Sequence, residues 1–198
     1  MRKLTNDELN RKSVSEYRAS EKSPFIIVLD NVRSLNNVGS IFRTADAFLV
    51  EAVWLCGITA TPPHREIHKT ALGATESVEW RYFESPIAAV TELKERGYVI
   101  VSVEQADEAV RLDHFITEAG KRYALVFGHE IRGVTAEVVD LSDACIEIPQ
   151  YGTKHSFNVA VSAGIVLWEL AGRTGDQSVG AGRTGGHRKT TFPCHGAA

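Results

Sequence analysis

The sequence has no excess of charge of either sign, since 22 lysines and arginines face 25 aspartates and glutamates and the formal net charge is −3. That balance excludes a polycation that binds nucleic acid over its whole surface, although it allows a local basic patch. Cysteines are few as well. Cys56, Cys145 and Cys194 are far apart without a C-x-x-C pair, and the first two lie in apolar runs. We therefore expect buried, reduced thiols in a reducing compartment.

Long apolar runs are also missing. No run comes close to the roughly 20 residues that a membrane-spanning helix needs, and the N-terminus lacks the apolar stretch of a secretory signal. The sequence thus predicts a cytoplasmic protein without a membrane segment. It contains neither G-x-G-x-x-G nor G-x-x-x-x-G-K-[ST], which argues against a dinucleotide dehydrogenase and against a P-loop enzyme.

Two histidine patterns resemble metal sites, but each lacks an essential ligand. His129-Glu130 looks like the start of a zinc-protease helix, yet Gly133 stands where the second histidine is needed. His64 and His68 are four positions apart, but no third ligand is within reach along the sequence. We therefore predict no metal site.

Apolar, β-branched runs alternate with helical segments along the chain, which predicts an α/β domain with a mainly parallel sheet flanked by helices. The predicted strands are 25–29, 52–56, 98–103, 123–127 and 145–148, with a weak edge strand at 78–83. The predicted helices are 38–48, 66–72, 86–96, 135–139 and 156–170.

The predicted α/β domain covers residues 24–171. Residues 1–23 form a polar arm with a short helix capped by Thr5 or Asn6 together with Glu8, and the arm is either a solvated face or an RNA contact. Residues 172–198 are Gly-rich and contain A-G-R-T-G twice, which predicts a disordered tail. That tail is either an RNA tether or an extension without function.

Three segments that follow predicted buried strands carry unusual polar content. In residues 36–48, Arg43 projects from the first turns of a helix whose other residues are mostly small and apolar. The alternative for Arg43 is an ion pair with Asp46 or with a carboxylate at the end of the sheet. In residues 127–133, two glycines bracket Glu130, so that the backbone can approach a ligand closely while a carboxylate is held nearby.

The third segment runs from residue 146 to residue 170. It reads as the end of a buried strand, a loop with Pro149 and Gly152, and a buried helix with Ser156 as its N-cap. A strand, a Gly-containing loop and the first turn of a buried helix predict a ligand cradle. The alternative is a plain connection between a strand and a helix.

The three segments contain the patterns N-x-G-x-x-x-R-x-A, F-G-x-E-x-x-G and I-P-x-x-G-x-x-x-S-x-N-V, in this order. The matching residues are Asn37, Gly39, Arg43 and Ala45; Phe127, Gly128, Glu130 and Gly133; and Ile148, Pro149, Gly152, Ser156, Asn158 and Val159. Over about residues 25–170 the chain therefore resembles the SpoU-type (TrmH-type) branch of the SPOUT RNA methyltransferases. His129, where many members have Pro or Asn, and Phe157, where most have Leu, depart from the common pattern.

The resemblance implies a SPOUT fold, an α/β sheet whose C-terminal part is tied in a deep trefoil knot, one of the rare exceptions to unknotted chains. It implies S-adenosylmethionine as the cofactor and a homodimer with the last helix and the first motif near the interface. The reaction that it implies is methyl transfer to a ribose 2′-hydroxyl of structured RNA.

The resemblance also assigns the site residues. Its cofactor-binding residues are Val103, Gly128, Ile148, Ser156 and Phe157.

The catalytic candidates that the resemblance assigns are Arg43, Asn37, Glu130, Asn158 and Ser156. Arg43 acts as the base or positions the nucleotide, although a guanidinium stays protonated in almost all settings. Asn37 and Asn158 orient the hydroxyl or Arg43, and Glu130 fixes the cluster. Ser156 serves the cofactor, the substrate, or the helix as its N-cap.

Transfer RNA is favoured over ribosomal RNA as the substrate, because small members of the family often act on tRNA. Two alternatives stay open. One is an RNA-binding knotted domain without catalysis, and the other is a methyltransferase that acts on a base nitrogen.

Overall fold

The structure, a computed structural model, describes residues 1–5 and 7–174. Within these residues seven strands form one sheet in the order β3-β2-β1-β6-β4-β7-β5, with every pairing parallel. The strands are β1 (Ser23–Asp30), β2 (Val50–Cys56), β3 (Glu79–Phe83), β4 (Tyr98–Val103), β5 (Val110–Arg111), β6 (Arg122–Phe127) and β7 (Ala144–Glu147). The helices are α1 (Val14–Ala19), α2 (Leu35–Ala47), α3 (Arg65–Ala71), α4 (Ala74–Ser77), α5 (Pro86–Glu95), α6 (Ala136–Leu141) and α7 (Val159–Thr174). The parallel α/β sheet flanked by helices is confirmed, while the trefoil knot stays a prediction.

The core has two layers because β1 is apolar on both faces, as its continuous apolar run predicts. Phe25, Ile27 and Leu29 face the side of α2, α3 and α7, where they join one buried cluster. Ile26 and Val28 face the side of α5 and α6, where they join the other. The two helical layers leave only the ends of the strands open for a ligand.

Two helices begin at other residues than predicted. Helix α2 begins at Leu35 rather than 38, since the Ser34 hydroxyl accepts a hydrogen bond from the Asn37 N–H at 3.4 Å. Helix α7 begins at Val159 rather than 156, and the prediction that Ser156 is its N-cap is wrong. Asn158 Oδ1 caps this helix by accepting from the N–H groups of Ala160 and Val161, at 2.9 and 3.4 Å.

The two ends of the chain also differ from the sequence prediction. The cap predicted at Thr5 yields only a 3₁₀ turn (Asp7–Leu9), and Asn6 lies outside the described residues. Helix α1 begins instead after a capping box of Ser13 and Glu16. Helix α7 continues to Thr174, past the predicted start of the tail. Residues 175–198, the rest of that tail, lie outside the described residues.

The predicted thiol environment is found for Cys56, which is buried, whereas Cys145 is half-buried; both are free. Cys194 lies outside the described residues. None of the helices in the described part of the chain combines the length and the hydropathy that a bilayer span requires.

Gly39 allows α2 to pack closely against α3. A Cβ atom at this position would lie 2.4 Å from the carbonyl oxygen of Ile67 and 2.1 Å from the Thr70 hydroxyl oxygen. A backbone oxygen cannot rotate away from such a contact. The first motif therefore carries a glycine because two helices cross there.

We expect Gly39→Ala to lower the free energy of unfolding by about 1–3 kcal/mol, the usual range for overpacking a close contact. For a domain of this size each kcal/mol lowers Tm by about 2–4 °C. Thermal unfolding followed by circular dichroism measures the change.

Gly152→Ala is the matched control, because a methyl group at Gly152 meets nothing within 4 Å. Its Tm should equal or slightly exceed that of the wild type. A wild-type Tm for Gly39→Ala would show that the crossing of α2 and α3 tolerates a side chain.

Candidate active site

A cavity of about 290 Å³ lies at the carboxyl ends of β4, β6 and β7. Open parallel sheets bind ligands at this edge of the strands. Three loops wall the cavity, at residues 103–105, 128–133 and 148–157. The five residues predicted to bind the cofactor all line it: Val103, Gly128, Ile148, Ser156 and Phe157.

Glu130 connects the second predicted motif to the first. One carboxylate oxygen accepts the N–H of Arg33 at 3.0 Å. The other accepts the N–H of Ser34 at 2.9 Å and the Asn37 side-chain amide at 3.0 Å. Burial acts to raise the pKa of Glu130, but these hydrogen bonds outweigh it and hold the pKa below its ordinary value. Glu130 is thus a carboxylate that fixes the start of α2 to the 128–133 loop.

The Asn37 amide continues this connection to the third motif. Its oxygen accepts a hydrogen bond from Asn158 Nδ2 at 3.1 Å. Asn158 in turn caps α7 through its own side-chain oxygen. A chain of hydrogen bonds, Glu130–Asn37–Asn158, therefore joins three segments that the sequence placed together only by resemblance.

Arg43 is not part of this chain of hydrogen bonds. It is exposed on α2, and its side chain makes no hydrogen bond or ion pair with any residue that the structure describes. The alternative of an ion pair with Asp46 is not found, since Asp46 accepts the hydroxyl of Ser77 instead. Arg43 is also absent from the wall of the cavity in this chain. Its guanidinium is free to bind a ligand or another chain.

Ser156 lies on the cavity wall and is exposed. Within the described residues its hydroxyl has no hydrogen-bond partner. Because Asn158 caps α7, the capping role is removed from the roles considered for Ser156, and contact with a cofactor or a substrate is what remains.

The two glycines of the 128–133 loop serve the closure of the loop itself. His129 and Gly133 form a short antiparallel bridge, with N···O distances of 3.0 and 2.8 Å. A Cβ atom at Gly128 would lie 2.0 Å from the carbonyl carbon of Gly133, and Gly133 has a φ of +70°. The glycines are therefore needed for a close contact between two backbone segments, and the approach of this backbone to a ligand stays a prediction.

Glu104 and Gln105, directly after β4, lie in a loop (residues 103–105) that the resemblance implies for the cofactor, but they were given no role of their own. Glu104 Oε2 accepts the N–H of Val134 at 2.9 Å and Oε1 accepts the N–H of Gln105 at 2.8 Å. Gln105 Nε2 donates to the carbonyl of His155 at 2.8 Å. The pair thereby holds both other loops of the cavity. The sequence pattern at this pair is the same as at the predicted sites, namely polar residues directly after a buried strand.

Asp30, at the end of β1, also accepts hydrogen bonds that hold the backbone near the site. Its buried carboxylate accepts the N–H of Thr135 at 2.6 Å and the Thr135 hydroxyl at 3.0 Å. Asn31 donates to it at 2.7 Å. The backbone is therefore fixed at Thr135 as well, two residues after the 128–133 loop.

The lining of the cavity fits a cationic cofactor with a flat apolar ring. Its apolar residues are Val103, Phe127, Ile131, Ile146, Ile148, Phe157 and Val159. Glu104, Glu130 and Glu147 line it with Arg132 as the one guanidinium, so carboxylates outnumber fixed cations. A sulfonium and an ammonium group suit this field, whereas the phosphates of a nucleotide cofactor do not. S-adenosylmethionine, the cofactor that the resemblance implies, has that charge and an adenine ring.

The described residues contain no group of three or more His, Cys, Asp or Glu side chains that could hold a metal ion. His64, from the histidine pair, caps α3 by accepting the N–H of Glu66 on Nδ1 at 3.2 Å.

We expect Glu130→Gln to lower the free energy of unfolding by about 1–2 kcal/mol at pH 7, because one charged acceptor oxygen is lost at a partly exposed site. The folded-state pKa of Glu130 is below its ordinary value, so its contribution is present above that value and disappears as the pH falls through the folded-state pKa. Urea unfolding at pH 7 and at about pH 3.5 should show the difference from wild type shrinking at the lower pH.

Glu108→Gln is the matched control, since Glu108 is exposed in a loop and its carboxylate has no partner in the described part of the chain. It should unfold as the wild type does at both pH values. If Glu130→Gln also behaves as wild type at pH 7, the carboxylate does not hold the loop.

Comparison with known proteins agrees with the geometry. Residues 24–168 match the model of the SpoU rRNA Methylase family. The tRNA (guanosine(18)-2′-O)-methyltransferase of Aquifex aeolicus is 32% identical over 166 residues, which cover 82% of this chain and 75% of that protein. The 23S rRNA (guanosine-2′-O-)-methyltransferase RlmB of Neisseria meningitidis is 32% identical over 74% of this chain, but the match covers only 57% of its own length.

Solved structures show the same fold. The crystal structure of the A. aeolicus TrmH/SpoU tRNA modifying enzyme has a TM-score of 0.72 and 29% identity over 83% of each chain. The AdoMet-bound rRNA methyltransferase from Sinorhizobium meliloti has a TM-score of 0.72 and 27% identity, and the match covers 80% of this chain and 60% of that one. Because the family model matches residues 24–168 and the three motifs are joined beside one cavity, the chain belongs to the SpoU rRNA methylase family.

Proposed function

We propose that the protein is an RNA methyltransferase that uses S-adenosylmethionine to methylate a ribose 2′-hydroxyl. The observation that carries the proposal is the Glu130–Asn37–Asn158 chain of hydrogen bonds, which assembles the three family motifs beside the cavity. The names of the Aquifex and Neisseria relatives support the reaction, since both are 2′-O-methyltransferases.

The cofactor is S-adenosylmethionine, which when bound supplies an electrophilic methyl group on a sulfonium. The AdoMet-bound relative from Sinorhizobium supports this assignment. Val103, Ile148 and Phe157 provide an apolar wall for the adenine ring, and the backbone at Gly128 provides hydrogen-bonding groups. Glu104 and Gln105 act indirectly by holding these loops in place.

The chain must also present the 2′-hydroxyl in line with the methyl group and give its proton a route away. Ser156 Oγ, on the cavity wall and without a partner among the described residues, can accept the hydrogen bond of that hydroxyl, and its exposed position lets the proton pass to solvent as the methyl group is transferred. Arg43 stays protonated, so it binds a phosphate of the RNA and positions the nucleotide rather than removing the proton. Asn37 and Asn158 set the position of α2 and α7 around the site.

The proposed substrate is tRNA rather than rRNA, and the proposed location is the cytoplasm. The tRNA-directed Aquifex relative is matched over 75% of its length, whereas the rRNA-directed Neisseria relative is matched over 57%. Phosphate contacts have to come from local groups, because the net charge is −3.

The test of the activity is methyl transfer from labelled S-adenosylmethionine to separated tRNA and rRNA pools. Wild-type protein should label tRNA, and nuclease digestion with mass spectrometry should place the methyl group on a ribose. Arg43→Ala should lower kcat about 100-fold or more, because a misplaced nucleotide costs about that factor. Calorimetry should show that Arg43→Ala still binds S-adenosylmethionine.

Arg65→Ala is the matched control, another exposed arginine without a partner in the described residues. It should change at most the KM for RNA and leave kcat intact.

Wild-type turnover by Arg43→Ala would show that Arg43 does not belong to the active site. A methyl group found on a base would replace the ribose reaction by the base-directed one, and cofactor binding without any transfer would favour the non-catalytic RNA-binding alternative.

We also propose a homodimer in which α7 lies at the interface. Val161 and Trp168 are seven positions apart on α7, hence on one face, and are 50% and 72% exposed. An exposed tryptophan on an apolar helix face is typical of a surface that a partner covers. Arg43 does not line the cavity of its own chain. In a homodimer it could instead reach the cavity of the second copy.

Light scattering should give twice the chain mass of 21.7 kDa for the wild type. Trp168→Glu should give a single chain mass, because a carboxylate would be buried in the interface. Ile87→Glu, an exposed apolar residue on α5, is the control and should remain a dimer. A dimeric Trp168→Glu protein would show that α7 is not the interface.

A further inference from the structure

The two most exposed large apolar side chains among the described residues, apart from the terminal Met1, are Tyr151 and Ile131, at 88% and 83%. Both belong to loops that wall the cavity. Single large apolar side chains are common on protein surfaces, but two of them on loops of the same site indicate a surface that binds a ligand.

Tyr151 lies in the loop after β7, and its side chain is 88% exposed. Asp113 binds the guanidinium of Arg111 through two hydrogen bonds of 3.2 and 3.0 Å, and the Tyr151 hydroxyl is near enough to this pair to act on the pKa of Arg111. The Asp113 carboxylate, and after it the Tyr151 hydroxyl, raise the pKa of Arg111. Arg111 lies in β5, which pairs with β7 at Glu147. The Tyr151 hydroxyl therefore lies toward the β5 edge of the sheet, while most of the side chain stays open to solvent.

The position of Tyr151 joins it to the site. The preceding residue, Gln150, lines the cavity, as do His155, Ser156 and Phe157 further along the same loop. Lys154 is exposed on this loop as a cation that a phosphate group can approach. A loop that carries both an exposed aromatic ring and an exposed cation has the two groups that bind unpaired nucleotides, the ring by stacking on the base and the cation by charge on the phosphate.

We propose that Tyr151 is a stacking platform for an unpaired base of the RNA, next to the nucleotide whose ribose enters the cavity. The proposal rests on the proposed RNA methyltransferase function and adds a substrate-positioning residue to it. A 2′-hydroxyl can reach a recessed cofactor only when its nucleotide leaves the regular helix, and the bases that this exposes need a surface on which to stack. Tyr151 offers that surface without sequence preference, since every base has a flat face.

Steady-state methylation and fluorescence anisotropy with labelled tRNA test the proposal. Tyr151→Ala should raise both the KM for RNA and the Kd for RNA about tenfold, within the range of about 5- to 150-fold that the loss of one stacked base produces. The KM for S-adenosylmethionine should not change. Tyr151→Trp, which keeps a flat ring, should stay within about twofold of wild type.

The salt dependence separates stacking from charge. Between about 50 and 200 mM salt, Tyr151→Ala should show the same slope of log Kd against log salt as the wild type, because no phosphate contact is lost. Lys154→Ala should show a slope smaller by about 0.7–0.9, the value for one contact.

Ile116→Ala is the matched control, since Ile116 is 78% exposed but lines a different cavity at the amino ends of β4, β6 and β7. It should bind RNA as the wild type does. Wild-type KM and Kd for Tyr151→Ala overturn the proposal, and so does a change of its mass in light scattering, which would assign Tyr151 to an interface between subunits. A wild-type protein that transfers no methyl group contradicts the proposed function instead, while the anisotropy comparison still decides the stacking.

Discussion

The carboxylate of Glu130 holds the site together, because its two oxygens fix the beginning of α2 to a loop that follows a strand almost a hundred residues later in the chain. Such a contact is possible only because all the strands are parallel and their carboxyl ends meet at one edge of the sheet. Through Asn37 the same contact reaches Asn158 and hence the cap of α7. If the loop moves, α2 and α7 must move with it.

The other loops of the cavity are fixed by the same physical means. Irregular backbone at a ligand site leaves N–H groups without a helix or a ladder, and buried N–H groups require acceptors. Asp30 after β1 and Glu104 after β4 supply carboxylate oxygens to the N–H groups of Thr135 and Val134. Charged acceptors give shorter and stronger hydrogen bonds than neutral ones, so the cavity is shaped before any ligand enters.

The inner strands of the sheet could be predicted because they are continuous apolar runs, the pattern expected of strands that are buried on both faces. β5 could not, since a two-residue strand at Val110–Arg111 is defined only by its partner β7. The cap of α7 was assigned to Ser156 although Asn158 provides it, because both side chains are good caps and only the folded loop decides between them. The resemblance named Glu130 and Asn37, but their hydrogen bond joins residues far apart in sequence, and periodicity carries no signal for such a contact.

An acidic cavity beside a polyanionic substrate raises a problem of repulsion, and the geometry resolves it. Glu130 and Glu104 direct their carboxylates at backbone N–H groups of their own chain, so those donors offset their charge locally. Arg132 is the one guanidinium in the lining, whereas Arg43 and Lys154 are exposed outside it, and the Arg43 side chain has no partner in the described residues. Carboxylates in the cavity suit a sulfonium, and exposed cations outside it suit phosphates. Two ligands of opposite charge can therefore be held side by side by a protein whose net charge is close to zero.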